Sequence, residues 1–153
     1  MATRLQPPPE AQYATDPYAW ALEQAAHLRA RRVGKLDLEN LAEEVEDLAG
    51  TQRRAVRSRA RSIMQHLLKL QHSPAAAPRP GWRQTVRLQR AELADDLTPT
   101  LRRRLAEELA EVYGGARKLA AGELGDHGED AAAQALPAEC PYSLDQVTGD
   151  WLP

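Results

Sequence analysis

The sequence predicts an all-α protein, an antiparallel bundle of four main helices with a long second helix and a short helical C-terminal segment. Three observations lead there. Alanine, leucine, glutamate and arginine dominate, while phenylalanine is absent and isoleucine occurs once, so the vocabulary that favours strands is thin. Apolar residues recur at three- and four-residue spacing through most of the chain. Two Asx/Thr-Pro pairs, Asp16-Pro17 and Thr98-Pro99, mark helix starts, because proline at the first helical position loses no hydrogen bond. At 153 residues the chain is long enough for one domain with a core, taken as 15–153.

Residues 1–14 contain Pro7, Pro8 and Pro9 and no periodicity, which predicts an extended or mobile arm. The first helix is expected over 17–32, with Tyr18, Ala21, Leu22, Ala25 and Leu28 as its apolar face and Gly34 beyond a basic last turn. Asp37 caps the second, whose stripe runs from Leu38, Leu41, Val45 and Leu48 to Val56, Ile63, Leu67 and Leu70, ending near His72. A helix of that length extends roughly 50 Å, against a radius of gyration of about 15 Å for a compact domain of this size. It therefore either kinks at Gly50 or projects to be covered by another copy of the chain. The segment 73–81, with three prolines, reads as a loop. A third helix follows from about Trp82 with Val86, Leu93 and Leu97, and a fourth from Pro99 to about Gly122 with Leu101, Leu105, Leu109, Val112, Ala116 and Leu119. Residues 122–130 predict a flexible turn, and the remainder one or two short turns anchored by Trp151.

Charge reverses inside the long helix. Residues 36–50 hold six acids (Asp37, Glu39, Glu43, Glu44, Glu46 and Asp47) and no base, whereas 51–91 hold ten bases and no acid. The net charge of −2 conceals this. Residues 92–153 hold thirteen acids and five bases, and mutual neutralisation of the basic block and its acidic flanks across helix contacts is the expectation for a folded chain. Cys140 is the single cysteine, so no intramolecular disulfide or cysteine zinc cluster forms, which fits a reducing cytoplasm. The N-terminus shows no signal or transit pattern, and charges interrupt every apolar run, so no membrane association is expected.

The motifs YAW at 18–20, LDLENLAEEVEDLAG at 36–50, HLLK at 66–69, Trp82 with QR at 89–90, and CPYSLDQ…WLP at 140–153 occur in an order that resembles domain-of-unknown-function family 29. The resemblance implies a small, helical, mostly bacterial protein and supplies no activity, substrate, cofactor or catalytic residue. Relatives usually mix glutamates into the region after the glycine, where QRRAVRSRARSIM has none.

Three classes of function follow from the residues. Steps of seven from Leu38 and Val45 bring Gln52, Arg59 and His66 onto the apolar face, with Glu39 and Glu46 at its margin, free to pair with arginines of the third helix. Such a polar seam needs partners, and it suits a non-enzymatic interaction or regulatory module with an unknown protein partner or a homodimer. A metal-dependent or other enzyme would use Glu39, Glu43, Glu46, His66 and His72, but Glu-x-x-His and His-Glu-x-x-His spacings are absent. No metal or other cofactor is expected. Ser58, Ser62 and His66 share a helix face without an oxyanion turn, Cys140 has no basic neighbour to activate it, and His27 and His127 read as surface residues. Nucleic-acid binding through 51–91 would draw on Arg53, Arg57 and Arg61 on one helix and Arg83, Arg87 and Arg90 on the next. That requires both ladders to face water.

Overall fold

A computed structural model describes the backbone from Pro9 and the side chains from Gln12 to Pro153. The described residues are 78% helical, with seven helices among them of which four are long, and they contain no strand. They are α1 (Pro9–Thr15), α2 (Pro17–Arg29), α3 (Leu38–His72), α4 (Arg79–Asp96), α5 (Pro99–Asp126), α6 (Asp130–Gln134) and α7 (Leu144–Thr148), with a 3₁₀ turn at Val33–Lys35. Of the expected N-terminal arm, residues 9–14 are helical in α1, and residues 1–8 lie outside the described residues. The chain divides into two compact units after Thr51, where the sequence suggested a single domain.

Both predicted starts are capped as expected. The Asp16 side chain accepts from the Ala19 N–H at 3.0 Å, and the Thr98 hydroxyl from the Leu101 N–H at 3.3 Å. The ends differ. α2 stops at Arg29 because Arg31, with φ of 54°, turns the chain in the left-handed region while the Arg32 N–H reaches the His27 carbonyl at 2.9 Å. α4 starts at Arg79, ahead of Trp82, since Pro80 fits a first turn. α5 continues through Gly122 to Asp126, and Gly128 (φ 76°) closes it. Gly50 lies inside an unbroken α3.

In the unit 52–153, α3, α4 and α5 run up, down and up. Arg59 of α3 meets Glu92 and Asp96 of α4, whereas Lys69 lies over Trp82, so those helices are antiparallel. Along α5 the partners ascend with α3, from Arg53 with Glu108 to Lys69 with Glu123, and these two helices are parallel. Ala60, Ile63, Met64, Leu67 and Leu68 of α3, Val86 and Leu93 of α4, and Leu105, Tyr113, Ala116 and Ala120 of α5 form the core, closed by Leu136, Tyr142 and Val147 from the C-terminal segment. Each fully buried leucine or isoleucine contributes about 1.5–3 kcal/mol relative to exposure, so this cluster dominates the stability of the unit.

The unit ending at Thr51 is built differently. Trp20 is its only buried apolar side chain among the described residues, accompanied by Gln24 and Asp37. Tyr18, Leu22 and Leu28, expected on the inner face of α2, point outward, and so do Leu38, Val45 and Leu48 of α3. The larger indole with its hydrogen-bonding partners is buried in preference to the aliphatic stripe.

Because Arg31 holds a backbone conformation that costs a residue with a Cβ about 1 kcal/mol, Arg31→Gly is expected to stabilise the protein by about that amount in denaturant titrations.

Candidate functional site

The residues singled out from the sequence separate into three environments. The first surrounds Asp37. Its carboxylate accepts from the Trp20 indole N–H at 3.1 Å and from the Asn40 amide at 2.7 Å, and its own N–H donates to Gln24 Oε1 at 2.8 Å. The Asn40 amide above all, then the Trp20 indole, holds the Asp37 carboxyl below its ordinary pKa in spite of burial. Tyr13 packs edge-on against Trp20 with centroids 4.8 Å apart and donates its hydroxyl to Glu44 at 2.8 Å, a hydrogen bond that pushes the phenol up to about 12. The YAW and LDLEN segments thus meet in one polar cluster. Glu39, Glu43 and Glu46 are exposed beside it, and among the described residues none forms an ion pair.

Next to this cluster a groove of about 480 Å³ opens between Leu28, Leu36, Leu38, Leu41, Val45 and Glu46. Leu38, Val45 and Leu48 are 63%, 66% and 62% exposed, far above what a core stripe allows. Periodicity identified these residues, but their neighbours in the fold could not be read from it.

The second environment is the basic half of α3. Arg53 and Arg57 both engage Glu108, Arg57 Nη1 at 2.5 Å, and Arg57 Nη2 reaches Glu111 at 2.6 Å. Burial alone would raise the Glu108 carboxyl, but the Arg53 and Arg57 guanidiniums outweigh it and hold the pKa low. Arg59 lies 3.3 Å from both Glu92 and Asp96. The neutralising acids come from α4 and α5, not from 36–50. The proposed polar seam is accordingly dispersed. Gln52 is exposed, Arg59 turns to α4, Glu39 and Glu46 stay in the first unit, and His66 bonds through Nδ1 to the Ser62 carbonyl at 2.8 Å. No three of the described His, Cys, Asp and Glu side chains gather closely enough to hold a metal ion. The Ser62 group that His66 meets is a backbone carbonyl, and the Cys140 thiol, raised by burial, points to the Tyr142 carbonyl at 3.5 Å. Neither pair is arranged as a nucleophile and base.

The third environment is the C-terminal clamp. Arg90 is buried on α4 and donates through Nε to the Val147 carbonyl at 3.0 Å and through Nη2 to those of Gln146 and Trp151 at 2.6 and 2.7 Å. Burial pulls its pKa down. Arg83 and Arg87 are exposed, so the expected ladder on α4 is broken at its third member. Tyr142 donates to Gln71, and Ser143 and Gln146 form a reciprocal cap on α7. Lys69, buried, pairs with Glu123 and sits 5.0 Å from the Trp82 ring centroid, while the Gln65 amide donates to the same carboxylate at 2.6 Å. These contacts join HLLK, Trp82, QR and the terminal motif, whose residues are distant in sequence. Residues 12–152 match the family described as Domain of unknown function DUF29. The chain belongs to that family. No curated protein and no solved structure matches it. The segments that carry the resemblance are, in this chain, places where remote segments are pinned together.

Arg90→Ala removes every donor from three inward-facing carbonyls, and a loss of about 3 kcal/mol is expected in urea unfolding monitored by circular dichroism. His66 provides a pH test. Burial depresses its pKa below 6.5, with Lys69 adding to the effect and the Ser62 carbonyl and Glu123 opposing it. The unfolded chain therefore takes up the proton first, and stability falls as pH drops through about 6.5 toward the folded-state value. The part of that fall due to His66 is expected to disappear in His66→Gln when unfolding midpoints at neutral and mildly acidic pH are compared.

Proposed function

We propose that this DUF29 protein is a non-enzymatic interaction module that associates with a second copy of itself through its first unit, in a bacterial cytoplasm. The observation that carries the reading is the uncovered apolar groove between Leu28, Leu36, Leu38, Leu41 and Val45, extended by Leu48. A unit whose only buried apolar residue among those described is Trp20 lacks the core that an independent fold requires. An apolar surface of this kind marks an interaction site.

Charge selects the occupant. Arg29, Arg31, Arg32 and Lys35 are exposed at the end of α2 and along the 3₁₀ turn, and Glu39, Glu43, Glu46 and Asp47 are exposed on α3. Both signs flank one apolar groove. A two-fold axis places each copy's basic turn on the other's acidic helix while the leucines meet at the centre, as a self-complementary interface requires. A purely basic or purely acidic partner would satisfy only one of the two flanks.

Sedimentation of the full chain is expected to show a dimer. Leu38→Asp combined with Val45→Asp changes only exposed positions and should yield a monomer with unaltered helical circular dichroism. Reversing Arg31 and Arg32 to glutamate should weaken the dimer, and adding Glu43→Arg and Glu46→Arg should restore it. A wild-type monomer at high concentration, or a dimer indifferent to the paired aspartates, overturns the proposal.

A further inference from the structure

The face that α3 turns to α5 is not uniformly neutralised. Arg53 and Arg57 are engaged by Glu108 and Glu111, and further along Lys69 is engaged by Glu123. Between them, opposite Ser58 and Arg61, α5 presents Val112 and Gly115, and a cleft of about 480 Å³ opens there. Arg54, Arg57, Ser58, Arg61 and Glu111 line it together with Gly115. Arg54, Ser58 and Arg61 follow one another at helical spacing on one side of α3.

Two features distinguish this cleft from an ordinary charged surface. Arg61 makes no hydrogen bond or ion pair with the described residues, unlike Arg53, Arg57 and Arg59 of the same helix. Its aliphatic stem instead crosses Gly115, where a Cβ would come within 3.1 Å of Arg61 Cδ. Gly115 sits in mid-helix, a position that disfavours glycine, and the missing side chain is what lets the stem cross there. Of the three guanidiniums in the lining, Arg57 is held by Glu111 at 2.6 Å and Arg54 has a partner of its own, which leaves Arg61 beside the Ser58 hydroxyl.

We propose that this cleft binds a small phosphate-bearing ligand, a phosphate monoester or a diphosphate, with Arg61 as its guanidinium contact and Ser58 as a hydroxyl donor. Guanidinium forks match phosphate oxygens in geometry as well as charge. The layout favours a compact anion over a nucleic-acid strand, because Glu108 and Glu111 interrupt the cationic track on one side of the cleft and a polyanion needs that track to continue. The site lies wholly within the unit 52–153 and does not depend on self-association of the first unit.

Titration calorimetry of the full chain at low salt tests it with pyrophosphate, inorganic phosphate and a single-stranded DNA oligonucleotide as probes. Saturable binding of pyrophosphate at one site per chain is expected, weakened about tenfold by Arg61→Gln and unchanged by Arg83→Gln. Glu111→Gln should tighten it by removing a competing charge. Gly115→Leu should displace the Arg61 stem and abolish binding, and Arg61→Gln, an exposed substitution, keeps the test valid if that variant does not fold. Absence of saturable pyrophosphate binding, or binding that survives Arg61→Gln, overturns the proposal. Arg61-dependent binding of the oligonucleotide without pyrophosphate binding also overturns it, in favour of a nucleic-acid site.

Discussion

The structure depends on how α3 carries six of the middle segment's ten positive charges into a helical core without a single acid of its own between Thr51 and His72. Coulomb attraction alone does not hold the unit together, since partly exposed ion pairs contribute under about 1 kcal/mol each. The apolar cluster of Ile63, Met64, Leu67 and Leu68 against α4 and α5 supplies the larger share. What Glu108, Glu111, Glu92 and Asp96 do is permit it. They let the arginines on the margins of the apolar face lie against neighbouring helices, where unpaired guanidiniums would repel one another and lose hydration. The up-down-up order follows, because α5 must ascend beside α3 to bring its acids to Arg53, Arg57 and Lys69 in register.

The polar contacts that join remote segments have a common structural logic. Trp20 with Asp37, Lys69 with Trp82 and Glu123, and Arg90 with the carbonyls near the C-terminus each join segments that are remote in the chain. In each case a polar group is buried next to an aromatic ring or an apolar core and finds its partner across an element boundary. Burial without that partner costs several kcal/mol, so these pairs discriminate the native register from helix slips that would leave the apolar contacts nearly as good. Catalysis is not needed to explain any of them.

Helix positions were largely legible in the sequence because Asp16-Pro17 and Thr98-Pro99 are local signals, and a cap acts within one turn. Helix ends were less so. Gly34 and Gly122 looked like terminators, yet the left-handed residues that end the helices are Arg31 after α2, at a local cost, and Gly128 after α5. The charge pattern implied neutralisation of the basic block by its acidic flanks, and the flank from residue 92 onward, through Glu92, Asp96, Glu108 and Glu111, supplies the acids. Glu39 to Asp47 and Arg53 to Arg61 are stretches of one helix, on which only residues three or four apart face each other, so acids from other elements meet the arginines. The seam of Gln52, Arg59 and His66 failed for a related reason: a wheel places residues on a face but cannot say that different neighbours cover successive turns of that face.

The same limitation makes the first unit informative. Up to Leu48 the apolar stripe of α3 continues the pattern that is buried from Val56 onward, and sequence alone gives no reason to treat the two halves differently. In the structure one half is covered by α4 and α5 and the other is left open beside a polar cluster centred on Asp37. A cluster built from hydrogen bonds fixes geometry but buries little apolar area, so it orients Leu38, Val45 and Leu48 without covering them. An orienting frame under an uncovered apolar groove, flanked by both signs of charge, is what association requires if it is to be specific as well as favourable: the leucines supply the driving force, and the charges on either side fix the direction in which another molecule can lie.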